Sequence, residues 1–277
     1  TDVATGNNNA IALTTSSGDI TGLATVNAGS GAVTLNSAGA IVDDGSTGTV
    51  VTGGVLTADA AGAITIDSTV TSADISTSAA GAVDLDETDG ITLTDVDTND
   101  GSIAVDAGGA ITATDVVAAG GSGDSVTLST TTGGVVATLV TGADAVSITA
   151  TAGDITIGAI TATAGTLGVT ATAGSINDAA DDNTVDFTAG GLITLTAQDE
   201  IGVLGSGSDT DLEFAASSSV NVSSTGTGNI DLDGLGALTL SDVDTNDGTI
   251  TVDAGGALTV TDVATGNNNA IALTTSS

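Results

Sequence analysis

The strongest constraint on this chain is a short repeated word, in which a glycine turn is followed by alternating apolar and polar residues. Within each word the apolar residues stand two apart, with Thr, Asp or Ala between them, which is the pattern of a β-strand with one buried face. Examples are GAVTL (31–35), AGAITID (61–67), GDITI (153–157) and GNIDLDG (228–234). No segment shows convincing helical spacing, so the words predict an all-β protein.

The spacing of the words sets the architecture. Ile91, Ile103 and Ile111 follow one another by a long step and then a short step, and the same two steps recur from Leu238 onward. A unit of about 20 residues cannot bury its own apolar face, so it must stack on its neighbours. We therefore predict a parallel β-solenoid with about 20 to 22 residues per coil and about 12 to 13 coils in 260 residues. A third short strand is expected at the TDV word, and two overlong gaps lie near residues 64–83 and 193–212.

Composition disfavours the other fold classes. A series of β-sandwich domains of about 90 residues each would be expected to contain Pro in its loops and several core aromatics. The chain has no Pro and only two aromatic residues, Phe187 and Phe214. Disorder is disfavoured because the apolar content is 40% and the mean hydropathy is +0.39.

A long duplication predicts the domain organisation. Residues 1–17 and 261–277 are identical, TDVATGNNNAIALTTSS. We therefore expect one continuous solenoid over residues 1–277, in which residues 1–260 are one long tandem repeat and residues 261–277 begin the next copy.

A second duplication lies inside the first. Residues 91–116 match residues 238–263 at 20 of 26 positions. The offset between the two copies is close to seven coils of about 21 residues each, so we expect the chain to have grown by whole coils.

The charge of the chain excludes several partners. There are 35 acidic residues and no Lys, Arg or His, which gives a formal charge of −35. Binding to a phosphate backbone requires cationic side chains, so nucleic acid is excluded as a direct partner. Direct insertion into a membrane is not expected, because no apolar run approaches the roughly 18 residues of a spanning helix.

The same inventory argues against an enzyme. Without His, Cys, Lys, Arg or Tyr there is no nucleophile and base pair, no Schiff-base lysine and no histidine-bound zinc. Paired carboxylates remain, and the segment 84–89, DLDETD, is a distant candidate for polysaccharide cleavage. An acidic surface turn is the simpler interpretation, and we expect no enzymatic activity.

Calcium is the stronger chemical candidate. The word DVDTNDG occurs twice and places hard oxygen ligands at alternate positions beside a glycine, which suits Ca²⁺. It departs from the EF-hand pattern at the glycine position and lacks the final Glu, and Asp and Asn are also common in simple turns. Both interpretations stay open, and the candidate calcium ligands are Asp95, Asp97, Asn99, Asp100, Asp242, Asp244, Asn246 and Asp247.

Stacking brings like charges together in this prediction. Asp95 and Asp115 are one coil length apart along the chain, as are Asp242 and Asp262, so each pair should lie on adjacent coils. Two carboxylates roughly 5 Å apart repel by roughly 1 kcal/mol in water. We therefore expect stability to rise with Ca²⁺ or with ionic strength.

The words GDITI (153–157) and GSIAVDAGGAIT (101–112) resemble the repeats of filamentous haemagglutinin-like adhesins and of autotransporter-type passengers. The resemblance implies a right-handed parallel β-helix, exported through two-partner secretion or a similar route, that projects from a bacterial surface. It implies an extracellular or cell-surface fibre or adhesin stalk whose partners are further copies of itself, in tandem or end to end. The alternatives are a calcium- or glycan-binding adhesive module, with a glycan or cell-surface partner, and an S-layer-like protein.

Overall fold

The computed structural model describes residues 2–6, 8–180, 182–202 and 211–276. Over these ranges the chain is all-β, and its strands stack as a parallel β-solenoid of about 13 turns with about 21 residues per turn. The predicted fold class, coil length and number of coils are confirmed. The described ranges contain no helix with the length and apolarity needed to cross a membrane.

Each turn contributes strands to two parallel sheets with one apolar core between them. Sheet 1 contains β1 (Asp2–Ala4), β3 (Ile20–Leu23), β4 (Thr25–Asn27), β6 (Ile41–Asp43), β7 (Val51–Thr52), β9 (Ile64–Thr69), β11 (Val83–Glu87), β13 (Ile103–Ala107), β16 (Val126–Thr130), β18 (Val146–Ala150), β20 (Leu167–Ala171), β23 (Ile193–Ala197), β25 (Ser218–Ser224), β27 (Leu238–Thr245), β29 (Leu258–Val260) and β30 (Val263–Thr265). Sheet 2 contains β2 (Ile11–Thr14), β5 (Val33–Ser37), β8 (Val55–Ala60), β10 (Ser72–Ala80), β12 (Ile91–Asp100), β14 (Ile111–Ala113), β15 (Val116–Ala118), β17 (Val135–Gly142), β19 (Ile155–Ala162), β21 (Ile176–Asp178), β22 (Phe187–Ala189), β24 (Leu212–Phe214), β26 (Ile230–Gly234), β28 (Ile250–Ala254) and β31 (Ile271–Thr275).

The core consists of columns of aliphatic residues that run along the solenoid. In β18 the alternation places Val146 and Ile148 inward, and the register sets Val146 between Val126 and Leu167 of the neighbouring turns. Aliphatic residues stack on aliphatic residues of the neighbouring turns, so the apolar atoms of every internal turn are buried on both sides. Each buried methylene stabilises the fold by about 0.8 kcal/mol. A thin core of this kind suits Ile, Val, Leu and Ala.

Several long strands of sheet 2, namely β12, β17 and β19, carry two successive outward residues at one point, where the alternation is interrupted. In β12, Thr94 and Asp95 both point outward between the buried residues Leu93 and Val96, and we call this pair of outward positions the corner. In the next turn the strand breaks at the corner into β14 and β15. The expected third strand is β15, which begins at Val116 of the TDV word, but it belongs to the same sheet as β14. Each turn therefore contributes to two sheets and not to three.

Two consecutive turns have long connections within the part of the chain that contributes to sheet 2. The first connection is residues 179–186, between β21 and β22. The second is residues 202–211, between Ile201 and β24, of which 202 and 211 are described. Ile201 bridges Ile176 on one side and Ile230 on the other, so it marks the boundary between the two turns. Both turns are longer than the usual turn of about 21 residues.

The two duplications differ in their phase, which here means whether the two copies are separated by a whole number of turns. The copies at residues 1–17 and 261–277 form β1 and β30 in sheet 1 and β2 and β31 in sheet 2, and β2 and β31 stand first and thirteenth along sheet 2. They are thus 12 whole turns apart. The copies at 91–116 and 238–263 begin with β12 in sheet 2 and β27 in sheet 1, which is six and a half turns. The expectation that all length was added in whole coils is wrong for this pair, because the two long turns add residues without adding a turn.

Candidate functional site: three buried carboxylates at the corner of sheet 2

The first DVDTNDG copy lies on a strand and not in a loop. Asp95, Asp97 and Asn99 are exposed along the outer side of β12, and Asp100 is its last residue. Alternate side chains on one face of a strand are about 7 Å apart. Ca²⁺ holds its oxygen ligands at about 2.4 Å, so Asp95 and Asn99 cannot share one ion on this extended backbone. The assignment of calcium to these residues stays a prediction.

The second copy meets different neighbours. Asp242 and Asp244 lie on the outer side of β27, whereas Asn246 and Asp247 lie in the turn that follows it. The Ser223 hydroxyl donates to the Asp244 carboxylate at 3.1 Å, and the Asn269 side-chain amide donates to Asp247 at 2.9 Å. These carboxylates are therefore held by neighbouring turns and are not gathered around a common point.

The predicted stacking of carboxylates is present. The register of β12 with β14 and β15 aligns Asp95 with Asp115, and that of β27 with β29 and β30 aligns Asp242 with Asp262. Loss of solvent, together with the nearby charges of Asp95 and Asp115, raises the pKa of Asp97 to about 6. The acidic columns are thus a source of repulsion on the surface of the solenoid.

The DLDETD segment divides between the two sides of sheet 1. Asp84 and Asp86 point outward from β11, and Asp86 aligns with Asp67 on one neighbouring turn. Glu87 is buried and accepts hydrogen bonds from the Ser68 hydroxyl at 2.5 Å and from the Val70 N–H at 3.0 Å. Glu87 therefore closes the end of its turn, which is a structural role.

Three acidic residues from two consecutive turns meet at the corner of sheet 2. Asp178 ends β21, Asp186 ends the first long connection, and Glu213 is the middle residue of β24. They are 7%, 2% and 1% exposed, and one carboxylate oxygen from each lies within 4.8 Å of the other two. Unlike the acidic columns, this cluster is inside the protein.

Backbone pairing across the two turns holds the cluster. The Asp186 N–H donates to the Glu213 carbonyl at 3.0 Å, and the Glu213 N–H donates to the Asp186 carboxylate, also at 3.0 Å. The next residues, Phe187 and Phe214, pair in register and stack with ring centroids 5.3 Å apart. The two buried rings stabilise the register that brings the two carboxylates together.

The electrostatics of the cluster are unfavourable without an added positive charge. Burial raises the pKa of Glu213, and the adjacent Asp186 raises it further. Burial also raises the pKa of Asp186, against the lowering effect of its hydrogen bonds from Glu213. When both carboxyls are ionised, the two buried carboxylate oxygens of Glu213 have no hydrogen-bond donor among the described residues, because the side chain that they meet is the Asp186 carboxylate. The chain has no Lys, Arg or His to compensate them.

Sequence reasoning missed this cluster. Its members are spread over more than one turn of the chain, and none lies in a repeated word. Two signals were present: the only two Phe residues of the chain directly follow Asp186 and Glu213, and an overlong gap lies near residues 193–212. An unusual residue and an irregular spacing mark the place where a repeat protein departs from its repeat.

Comparison with known proteins leaves the family open. No family model, curated protein or solved structure matches the chain. The functional argument therefore rests on the chain's own geometry.

Proposed function

We propose that this chain is a structural repeat module of a long extracellular fibre or adhesin stalk, and that it acts without catalysis. The observation that carries the proposal is the phase of the 17-residue duplication, whose two copies lie on the same two sheets 12 whole turns apart. In a tandem array, each unit would then present the same faces as the unit before it. One unit would extend the rod by about 58 Å at about 4.8 Å per turn.

The inward positions of β31 are apolar, which supports stacking of one unit on another in an array. Ile271 and Leu273 of β31 occupy inward positions, in register with Ile250 and Val252 of the preceding turn, yet they are 43% and 36% exposed. A further turn stacked on β31 would cover them, as β5 covers Ile11, which is 4% exposed. Apolar surface and open strand edges of this kind favour covalent continuation or end-to-end association with another copy.

The resemblance of GDITI and GSIAVDAGGAIT to filamentous haemagglutinin-like repeats supports the surface location and the adhesin role. The right hand of the helix and the export route are likewise implied by that resemblance. The charge of −35 per 277 residues supports a rod that stays separate from its neighbours in solution. Binding of a glycan or a cell-surface partner stays a prediction.

The test is the length of concatenated units. Chains with one, two and three copies of residues 1–260, each ending in 261–277, are imaged by electron microscopy. We expect straight rods that lengthen by about 58 Å per copy. The matched control deletes residues 251–260 at each joint, which shifts the next unit by half a turn, and is expected to give a kink or a break at the joint. A length independent of copy number, or joints equally continuous in both series, would contradict the proposal.

A further inference from the structure

The acidic cluster lies where two irregular features of the solenoid coincide. The first long connection begins after Asp178 and ends at Asp186, and the second connection leads into β24, which carries Glu213. Asp178, Asp186 and Glu213, which flank the two connections, belong to consecutive turns. A group bound by all three residues would tie one long turn to the next.

The geometry of the three carboxylates fits one hard cation. Ca²⁺ binds oxygen at about 2.3 to 2.6 Å, so two oxygens on opposite sides of one ion are about 5 Å apart. The cluster oxygens of Asp178, Asp186 and Glu213 lie within 4.8 Å of one another, which is inside that limit. Even at the full 4.8 Å spacing, a point equidistant from the three oxygens is only about 2.8 Å from each, so a small adjustment of the side chains would let one ion contact one oxygen of each residue.

Glu213 supplies an independent reason for an ion at this point. Its side chain is 1% exposed and is directed into the cluster, and in its ionised form neither carboxylate oxygen accepts a hydrogen bond from a donor among the described residues. Buried carboxylates are normally paired with a cation or satisfied by hydrogen bonds. Glu87, which is equally buried, shows the ordinary solution, because a hydroxyl and two backbone N–H groups donate to it.

Compensation has to come from outside the chain. No residue of the sequence carries a positive side-chain charge. The surroundings add further negative charge, since Asp182 acts on Asp186 and Asp211 acts on Glu213. Asn183 of the first connection and Asp211, which directly precedes β24, both line a surface groove of about 440 Å³.

We propose that Asp178, Asp186 and Glu213 bind one divalent cation of the Ca²⁺ class, which links the two long connections at the corner of sheet 2. Ca²⁺ is favoured over Mg²⁺ because it accepts irregular sets of oxygen ligands, whereas Mg²⁺ requires a near-ideal octahedron and retains its waters. Zinc is disfavoured because the chain has no His or Cys. This site is separate from both DVDTNDG copies, and it does not depend on the proposed fibre function.

The experiment measures Ca²⁺ binding and thermal stability of the chain in about 150 mM KCl, which screens the exposed acidic columns. Equilibrium dialysis with Ca²⁺ alone is expected to find one saturable site, with a dissociation constant of about 1 mM or tighter. A hundredfold excess of Ca²⁺ over that constant is expected to raise the melting temperature by about 5 °C or more.

Glu213→Gln is the principal variant, because it keeps the side-chain shape and removes one ligand charge. It should lose the saturable site and the Ca²⁺-dependent rise in melting temperature. In chelator it should be at least as stable as the wild type, since an uncompensated buried charge has been removed. Asp106→Asn, which changes the same charge on the exposed face of sheet 1, is the matched control and should retain the site.

Asp178→Asn supplies a second variant on a different strand, should Glu213→Gln fail to fold. The wild-type titration is decisive by itself: a chain without a saturable site overturns the proposal. Retention of the site by both cluster variants also overturns it. If Ca²⁺ has no effect and acidification stabilises the wild type more than it stabilises Glu213→Gln, the buried carboxyls hold a proton in place of a metal, and the proposal is wrong.

Discussion

The two copies of the 26-residue segment show how much of a residue's environment a solenoid takes from its neighbouring turns. Residues 91–116 and 238–263 share 20 of 26 positions, yet the first copy begins in sheet 2 and the second in sheet 1. Both copies keep their apolar residues inward, because alternation along a strand suits either sheet. Their exposed residues, however, meet different partners.

The difference is clearest at the acidic positions. In the first copy Asp95 stands in a column between Asp74 and Asp115, and the Ser76 hydroxyl beside Asp97 donates to Asp59. In the second copy, the position below Asp242 is Asn221, and the serine beside Asp244 donates to Asp244 itself. Three stacked carboxylates in one copy are thus replaced by two and an amide in the other.

Substitution of the glycine of the DVDTNDG word should have the largest effect on stability. The size of that effect should differ little between the two copies. A Cβ at Gly101 or at Gly248 would lie 2.5 Å from the carbonyl carbon of a glycine on the preceding turn, Gly81 or Gly228. We expect Gly101→Ala and Gly248→Ala each to lower the free energy of unfolding by about 3 kcal/mol, measured by urea denaturation. Gly168→Ala is the control, since nothing lies near its Cβ, and it should be neutral or slightly stabilising. If one copy tolerated alanine, close stacking of turns would not be common to both sheets.

Of the two copies, the first and not the second should contribute to the pH dependence of stability. The pKa of Asp97 in the folded chain is about 6, above its ordinary value of 3.8, so the folded state holds the proton more tightly than the unfolded state. Stability therefore rises as the pH falls from above 6 toward 4. We expect Asp97 to contribute a gain of about 0.5 kcal/mol between pH 7.5 and pH 5.5, after allowing for solvent screening of this exposed group.

Asp231 contributes in the same direction, because burial and nearby Asp211 raise its pKa to about 6. Urea denaturation at several pH values should therefore show a smaller gain for Asp97→Asn and an unchanged gain for Asp244→Asn. Stability that falls over this range would show that the surface carboxylates do not repel one another as the columns indicate.

Replacement of the equivalent aspartates, Asp97 and Asp244, by asparagine should have small effects of opposite sign on the free energy of unfolding. Asp97→Asn removes repulsion from Asp95 and Asp115 and is expected to raise the free energy of unfolding by about 0.5 kcal/mol at pH 7. Asp244→Asn weakens the hydrogen bond from Ser223 and is expected to lower it by about 0.5 kcal/mol. Equal effects would mean that the neighbouring turns do not control these positions.

Most of the fold was predictable because its signal is local. A glycine turn and two or three alternating apolar residues identify nearly every strand, and the spacing of the words indicates the coil length. One overlong gap, near residues 64–83, is an ordinary turn whose sheet 2 strand, β10, has the small residue Ala73 and the isolated Ile75 facing inward. The other gap, near 193–212, is a true irregularity and leads into the buried cluster.

The sequence by itself determined the alternation, the stacking of short turns of nearly constant length and the absence of any side-chain cation, since each follows from residue type and spacing along the chain. Only the tertiary structure decided which sheet each copy of the duplicated segment occupies, and which three of the 35 acidic residues are buried together. The phase depends on the summed lengths of all intervening turns, and the cluster depends on the alignment of Asp186 with Glu213 across two irregular ones. Both features depend on which residues are neighbours one turn away. Where the repeat is interrupted, spacing along the chain does not reveal those neighbours.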